Sequence, residues 1–171
     1  MNPLIDLILS RRSIRKFQNK PIDEKYIHWI LKAGFAAPSG KNRRTWKFTV
    51  ATNNEIIQNL AKNIGEVLSR DGYNLYNAPL LIIPSNLKES SWGLEDNTCA
   101  MQNMFLAAHS MGIGSVWINQ LSQICENPQI RSILDSFEIP STHTVHGFVA
   151  LGYPLEEPKC IDRSGPVHFV R

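Results

Sequence analysis

The sequence has few of the features that mark secreted, metal-binding or membrane proteins. Its 171 residues include three cysteines, Cys99, Cys125 and Cys160, an odd number without CxxC spacing. This pattern argues against a disulfide framework or a zinc site and favours a reducing compartment. No apolar run is long enough for the core of a signal peptide or for a membrane span. We therefore expect a cytoplasmic protein that does not enter a membrane.

Motifs for metal and nucleotide binding are incomplete. The five histidines form no HExxH pattern, and His143 with His146 is a weak ligand pair. Gly112-Ile113-Gly114 begins like GxGxxG, but Trp117 stands where the third glycine belongs. In Pro38-Ser39-Gly40-Lys41-Asn42, an asparagine replaces the Ser or Thr with which a P-loop holds magnesium. We expect no bound metal, dinucleotide fold or P-loop.

Positive charge is concentrated in two short windows. The formal net charge is only +3, but residues 11–20 and 41–47 hold nine of the eighteen Lys and Arg residues. Nucleic-acid binders usually carry a broader basic face and a larger charge excess, so we expect no nucleic-acid partner. Guanidinium groups bind phosphate in a bidentate manner, and Ser13 adds a hydroxyl beside Arg11, Arg12 and Arg15. The first window therefore predicts a site for one compact dianion.

The apolar pattern predicts alternating helices and strands in a single domain over residues 1–171, because a chain of this length with 43% hydrophobic residues fills one core. Asn2 is expected to cap a helix that ends near Arg11. Asp23 is expected to cap a second helix, which ends at Pro38. Further helices are expected from Asn53 or Asn54 to about Ser69, and over 128–137 behind Asn127. Strands are expected over 46–51, 79–84, 115–119 and 144–151.

The longest helical pattern covers residues 94–111 and is apolar almost all round. We expect this helix at the centre of the domain, or at a subunit interface where a second copy covers it. Residues 167–170 have a strand-like pattern and no hairpin partner. Such a strand can add to a distant sheet edge, in this chain or in another subunit.

Four sequence blocks, taken in order, resemble those of the nitroreductase family of FMN enzymes. The first is Arg11-Arg12-Ser13-Ile14-Arg15-Lys16-Phe17, and the second is Ala36-Ala37-Pro38-Ser39-Gly40-Lys41-Asn42 with Trp46 following. The third runs over residues 107–117 and contains Gly112-Ile113-Gly114-Ser115-Val116-Trp117, and the fourth is Gly152-Tyr153-Pro154. The resemblance implies an α+β fold, a three-layer α/β/α sandwich with a mixed central sheet. It also implies an intertwined homodimer with FMN at the subunit interface.

The resemblance also assigns site residues. It places the flavin phosphate, ribityl chain and pyrimidine edge near Arg11, Arg12, Ser13 and Arg15. It implies that the partner subunit contributes a loop to the flavin ring, here Pro38, Ser39, Gly40 and Asn42. The segment against the ring, where a backbone N–H meets N5, matches Trp117, Ile118 and Asn119. The basic residue that completes the phosphate site matches Arg163, with Lys159 as its rival.

The implied activity is NAD(P)H-dependent reduction of nitroaromatics or quinones in a ping-pong cycle. A flavin carries the hydride itself, so no catalytic side chain is expected. One alternative is a protein that sequesters, delivers or senses FMN with little turnover. Another is specialised reductive chemistry on one metabolite, such as dehalogenation or a ring oxidation. The sequence leaves the preference between NADH and NADPH open.

Two departures from the family pattern concern the substrate. The usual Gln-Pro-Trp is here Arg44-Thr45-Trp46, with Arg43 in front of it. These arginines could bind an anionic acceptor or the 2′-phosphate of NADPH, or they could be solvated surface charges. The segment of residues 85–91 is also short, and larger members of the family have a lid at this place. We therefore expect an open, permissive pocket.

Overall fold

The computed structural model describes residues 2–158 and 163–171. The helices of these residues are α1 (Pro3–Ser10), α2 (Glu24–Phe35), α3 (Asn54–Val67), α4 (Gly93–Ser110), α5 (Leu121–Ile124) and α6 (Pro128–Ser136). The strands are β1 (Lys47–Ala51), β2 (Leu80–Leu87), β3 (Gly114–Ile118), β4 (His143–Thr144) and β5 (Phe148–Gly152). The short helix α5 has no counterpart in the sequence-based expectations, because four residues give no measurable periodicity.

Side-chain caps fix the starts of three helices where the sequence predicts them. The side-chain oxygens of Asn2, Asn53 and Asn127 each accept a hydrogen bond from a backbone N–H in the first turn, at 2.9, 3.2 and 3.0 Å. These bonds satisfy N–H groups that have no partner inside the helix. Asp23 occupies the cap position of α2 but makes no such side-chain bond.

The strands are ordered β1-β2-β5-β3, and β4 pairs with the far end of β2. All of these pairings are antiparallel. Within residues 2–158 and 163–171, the parallel component is a single bridge between Ser13 and Ser115, which adds the N-terminal segment to the outer side of β3. The strand expected over 79–84 continues to Leu87, and the one expected over 46–51 begins at Lys47.

The strand expected over residues 144–151 is interrupted. Val149 pairs with Ile82 and Thr144 pairs with Asn86, so five steps along this strand oppose four steps along β2. The extra residue makes a bulge and separates β4 from β5. Gly147 lies in the bulge, where a Cβ atom would come within 2.6 Å of Trp117 Nε1. The alternation of apolar residues does not reveal such an insertion.

Two cores lie on opposite faces of the sheet. Leu81 and Ala150 pack on one side with α3, α5 and α6, whereas their neighbours Leu80 and Val149 pack on the other with α2 and α4. This alternation follows from the two-residue period of a strand. The result is the three-layer α/β/α arrangement that the resemblance implies.

Helix α4 is only partly covered by its own chain. Its buried side carries Ala100, Met101, Met104, Phe105 and Ala108. On other sides of the helix, Leu106 and Ala107 are half-buried, and Leu94 is 49% exposed. One chain therefore does not cover this helix on all sides, and cover by a second copy stays a prediction.

Both ends of the described chain expose apolar side chains. Helix α1 buries no residue, and its Leu4 and Leu9 are 60% and 59% exposed. The strand expected over 167–170 is not formed here, and Phe169 and Val170 are 73% and 91% exposed. The described part of the chain offers this segment no strand partner. Within the same residues, no helix has the length and apolar character needed to cross a membrane.

Candidate functional site

The basic segment at the N-terminus is held against β3 by two buried side chains. Ile14 and Phe17 are each 8% exposed and belong to the core. The backbone N–H of Ile14 donates to the carbonyl of Ser115 at 3.0 Å. Gly114 permits this approach, because a Cβ atom there would lie 2.8 Å from Ile14 Cβ. Burying these apolar residues leaves Ser13 and Arg15 on the exposed side.

A cleft of about 490 Å³ opens along this segment. It is lined by Arg12, Ser13, Ile14, Arg15, Lys16, Glu156, Glu157, Pro158 and Arg163. A smaller cleft of about 160 Å³ adjoins it and adds Arg11, His109 and residues 112–115. The larger volume falls within the range of small-molecule sites. The structure therefore brings the four residues of the basic turn together with Arg163, which is about 150 residues away in the chain. Lys159 lies outside the described residues.

Guanidinium groups lie close together in this cluster, although Glu156 and Glu157 line the same cleft. Burial lowers the pKa of Arg11, and the neighbouring guanidinium groups of Arg163 and Arg12 lower it further. Burial also lowers the pKa of His109, with Arg11 and Arg12 as further causes. A bound anion would offset the repulsion among these guanidinium groups. The electrostatics agree with the dianion site that the sequence predicts.

Neighbouring groups fix parts of the cluster. Arg12 donates from Nη1 to the carbonyls of Leu9 and Arg11 at 2.6 and 2.9 Å. His109 Nε2 and Ser10 Oγ are 2.8 Å apart. Lys16 pairs with Glu156 at 3.0 Å on the cleft rim. By contrast, Arg15 makes no ion pair or hydrogen bond with the described residues, so its guanidinium is available to a ligand.

Trp117, Ile118 and Asn119 lie at the end of β3, the outer strand of the sheet. Their side chains differ in exposure: Ile118 is 2% exposed in the core, Trp117 is half-buried and Asn119 is exposed. Because Ser115 turns its carbonyl outward to Ile14, the two-residue period also turns the backbone of Trp117 outward. Asn119 lies beyond the strand, and its carbonyl accepts from the backbone N–H of Ser122 at 3.1 Å. This edge can offer backbone N–H groups to a ligand, whereas the Ile118 side chain cannot contact one.

The loop with Pro38, Ser39, Gly40 and Asn42 lies elsewhere. The backbone N–H of Gly40 donates to Asp96 Oδ1 at 2.7 Å, near the start of α4. His109, at the basic cluster, is thirteen residues further along the same helix. At about 1.5 Å per residue, the two points are about 20 Å apart. One chain therefore does not bring this loop to its own arginine cluster.

The loop is held in an unusual backbone conformation. Lys41, Asn42 and Arg44 have positive φ values of 52°, 55° and 53°. The backbone N–H of Arg44 donates to Ser39 Oγ at 3.2 Å, and its Nε donates to Asn42 Oδ1 at 2.9 Å. Left-handed residues other than glycine are costly, and they cluster at functional sites.

Sequence patterns did not identify three residues that contribute to the site. His109 lines the smaller cleft, Asp96 anchors the loop, and Trp92 packs on Gly40, where a Cβ atom would lie 2.6 Å from the indole. Asp96 is 4% exposed, but it stands beside Glu95 in the first turn of α4, where acidic residues are favoured, so no sequence signal marks its role. Nothing in the sequence pattern distinguishes Trp92 from a core aromatic.

Comparisons with known proteins agree with this architecture. The profile of the nitroreductase family matches residues 8–74 and 69–153. A Methanothermobacter thermautotrophicus relative whose name includes NAD(P)H nitroreductase is 32% identical over 167 residues, covering 95% of this chain and 83% of its own. The NADPH-flavin oxidoreductase of Vibrio harveyi is 29% identical, with coverage of 99% and 73%. The crystal structure of a Bacteroides fragilis nitroreductase with bound FMN superposes with a TM-score of 0.91 at 36% identity, over 100% of both chains. The chain belongs to the nitroreductase family.

Proposed function

We propose that this chain is an FMN-dependent oxidoreductase that takes a hydride from NAD(P)H and delivers it to a nitroaromatic or quinone in a ping-pong cycle. The observation that carries the proposal is the convergence of Arg11, Arg12, Arg15 and Arg163 on two adjoining clefts beside the outer edge of β3. The family membership and the FMN in the Bacteroides fragilis relative support the same assignment.

The residues present fit FMN. A phosphate dianion suits a cluster of guanidinium groups in which burial, and then the charges of Arg163 and Arg12, lower the pKa of Arg11. Ser13 adds a hydroxyl on the same side. The edge of β3 supplies outward-facing backbone groups where a flat, polar heterocycle needs hydrogen-bond donors, near Trp117 and Asn119. We assign the phosphate and ribityl chain to the basic cluster and the ring to this edge.

The protein's own contribution is to bind FMN, to orient it and to polarise it. When bound, FMN supplies the hydride-carrying chemistry, which needs no catalytic side chain. Arg15 places a fixed positive charge where it stabilises negative charge developing on the bound group. The backbone N–H of Trp117 or Asn119 orients the bound group by hydrogen bonding. In the proposed cycle, donor and acceptor use this cleft in turn.

We further propose that the site is completed by a second copy of this chain. The loop of residues 38–42 and the arginine cluster are about 20 Å apart on α4, so a site that uses both must draw them from two chains. The exposed apolar side chains of α1 and of residues 167–170 provide surface for that association. In this proposal each chain is one domain over residues 1–171, located in the cytoplasm.

Mixed dimers test the shared site directly. Arg15→Gln removes a ligand of the cluster, and Gly40→Val forces a side chain against Trp92 and displaces the loop. We co-express the two variants with different tags and purify the mixed dimer. It has one site with both defects and one intact site, so it should bind about half the FMN of the unmodified dimer with unchanged affinity. Weak binding at both sites would mean that each chain builds its site alone.

Steady-state kinetics separate the enzyme from an FMN carrier. The flavin-loaded protein should oxidise NAD(P)H in the presence of a quinone or nitroaromatic, with parallel lines in double-reciprocal plots. A protein that holds FMN but does not oxidise NAD(P)H would instead be a flavin-binding protein. Intersecting lines in these plots would agree with the oxidoreductase activity but would exclude the ping-pong order.

A further inference from the structure

The loop that follows Gly40 carries three cations on an exposed ridge. Lys41, Arg43 and Arg44 are all exposed. Lys41 Nζ lies 5.2 Å from the centre of the Trp92 ring, and the guanidinium carbon of Arg43 lies 5.9 Å from it. The two charges are therefore at most about 11 Å apart. The indole gathers both cations at one place on the surface.

These charges have no acidic partner among residues 2–158 and 163–171. The ion pairs of those residues involve other cations, and Arg44 donates to the neutral Asn42 oxygen instead. The neighbouring carboxylate, Asp96, is buried and accepts the backbone N–H of Gly40. The ridge thus keeps a local charge of about +3, in a chain whose formal net charge is also only +3.

The backbone conformation of the ridge is also set before a ligand binds. Asp96 holds one end of the loop and Ser39 Oγ holds the backbone of Arg44 at the other. Between these ends, Lys41 and Arg44 take left-handed backbone angles. Fixing donors before a ligand arrives lowers the entropy cost of binding it.

We propose that Lys41, Arg43 and Arg44 bind the 2′-phosphate of the reductant and make the protein prefer NADPH to NADH. The inference rests on the proposed function, in which this loop adjoins the partner's flavin. A phosphomonoester is a dianion, so it gains more than a carboxylate from several fixed cations. The planar Arg43 guanidinium and the Trp92 edge add flat surface for the adenine of the same nucleotide.

Direct binding tests the inference without turnover. Isothermal titration calorimetry of the FMN-loaded protein compares adenosine 2′,5′-bisphosphate with 5′-AMP. We expect the bisphosphate to bind at least about tenfold more tightly, the effect of one charge-assisted hydrogen bond. The triple variant Lys41→Gln, Arg43→Gln, Arg44→Gln should lose that difference. Equal affinities in the unmodified protein would overturn the inference.

Kinetics with a matched control give the second readout. In the triple variant, kcat/KM for NADPH should fall at least about tenfold more than kcat/KM for NADH. Lys25→Gln is the control, because Lys25 also lies over an aromatic ring, Tyr26 at 4.8 Å, at the opposite end of α2. Its NADPH to NADH ratio should not change.

Two outcomes distinguish this inference from the proposed function. If the triple variant slows reduction of nitrobenzoate but not of nitrobenzyl alcohol, with an unchanged NADPH to NADH ratio, the ridge binds anionic acceptors and the inference is wrong. If the protein does not oxidise either nucleotide, the proposed function fails. The calorimetric comparison still decides whether the ridge recognises a 2′-phosphate.

Discussion

Replacing Arg15 with glutamine should weaken FMN binding without weakening the fold. Arg15 lines the larger cleft, is exposed, and has no hydrogen bond or ion pair with the described residues. Its removal therefore leaves no group of the described residues unpaired, and the free energy of unfolding should change by less than about 0.5 kcal/mol. Loss of charge-assisted hydrogen bonds to FMN costs about 1.5–3 kcal/mol, which raises the Kd about 10- to 150-fold.

Flavin fluorescence during titration of the flavin-free protein measures this Kd, and urea unfolding measures the stability. Lys20→Gln is the matched control, because Lys20 belongs to the same basic window but lies over the Tyr153 ring at 4.5 Å, away from the cleft. It should bind FMN with unchanged affinity. An unchanged Kd for Arg15→Gln would remove this residue from the site. An equal loss in both variants would mean that only net charge matters.

Two further predictions concern stability. Gly114→Ala places a Cβ atom 2.8 Å from the branched Cβ of Ile14, so urea unfolding should show a loss of about 1–3 kcal/mol together with weaker FMN binding, whereas Gly165→Ala, in open space, should show neither. Burial, with Lys47 nearby, lowers the pKa of His143, which lies 3.1 Å from Ser85 Oγ. The unfolded chain then takes up a proton that the folded protein does not, so stability should fall as the pH drops below about 6.5, by up to about 1.4 kcal/mol per pH unit. In His143→Asn this slope should decrease, and an unchanged slope would assign it to other groups.

Local interactions explain why much of the fold is predictable from the sequence. The caps at Asn2, Asn53 and Asn127 need only residues within one turn, and the buried run before Pro84 is apolar without interruption. The basic turn is similarly local, because four of its ligand candidates lie within five residues. The bulge near Gly147 is not local, since it depends on the register between β2 and β5.

The sequence by itself determined most of the helices and strands, the density of cations and, through the order of its motifs, the family. Only the tertiary structure decided which of these residues meet. It placed Arg163 and His109 beside Arg11, and it kept the loop of residues 38–42 about 20 Å away along α4. It also set Lys41 and Arg43 around Trp92, without an acidic partner in the described chain. The physical reason is that hydrogen-bonded caps and turns act over a few residues, whereas the proximity of distant charges is fixed by how helices and strands pack.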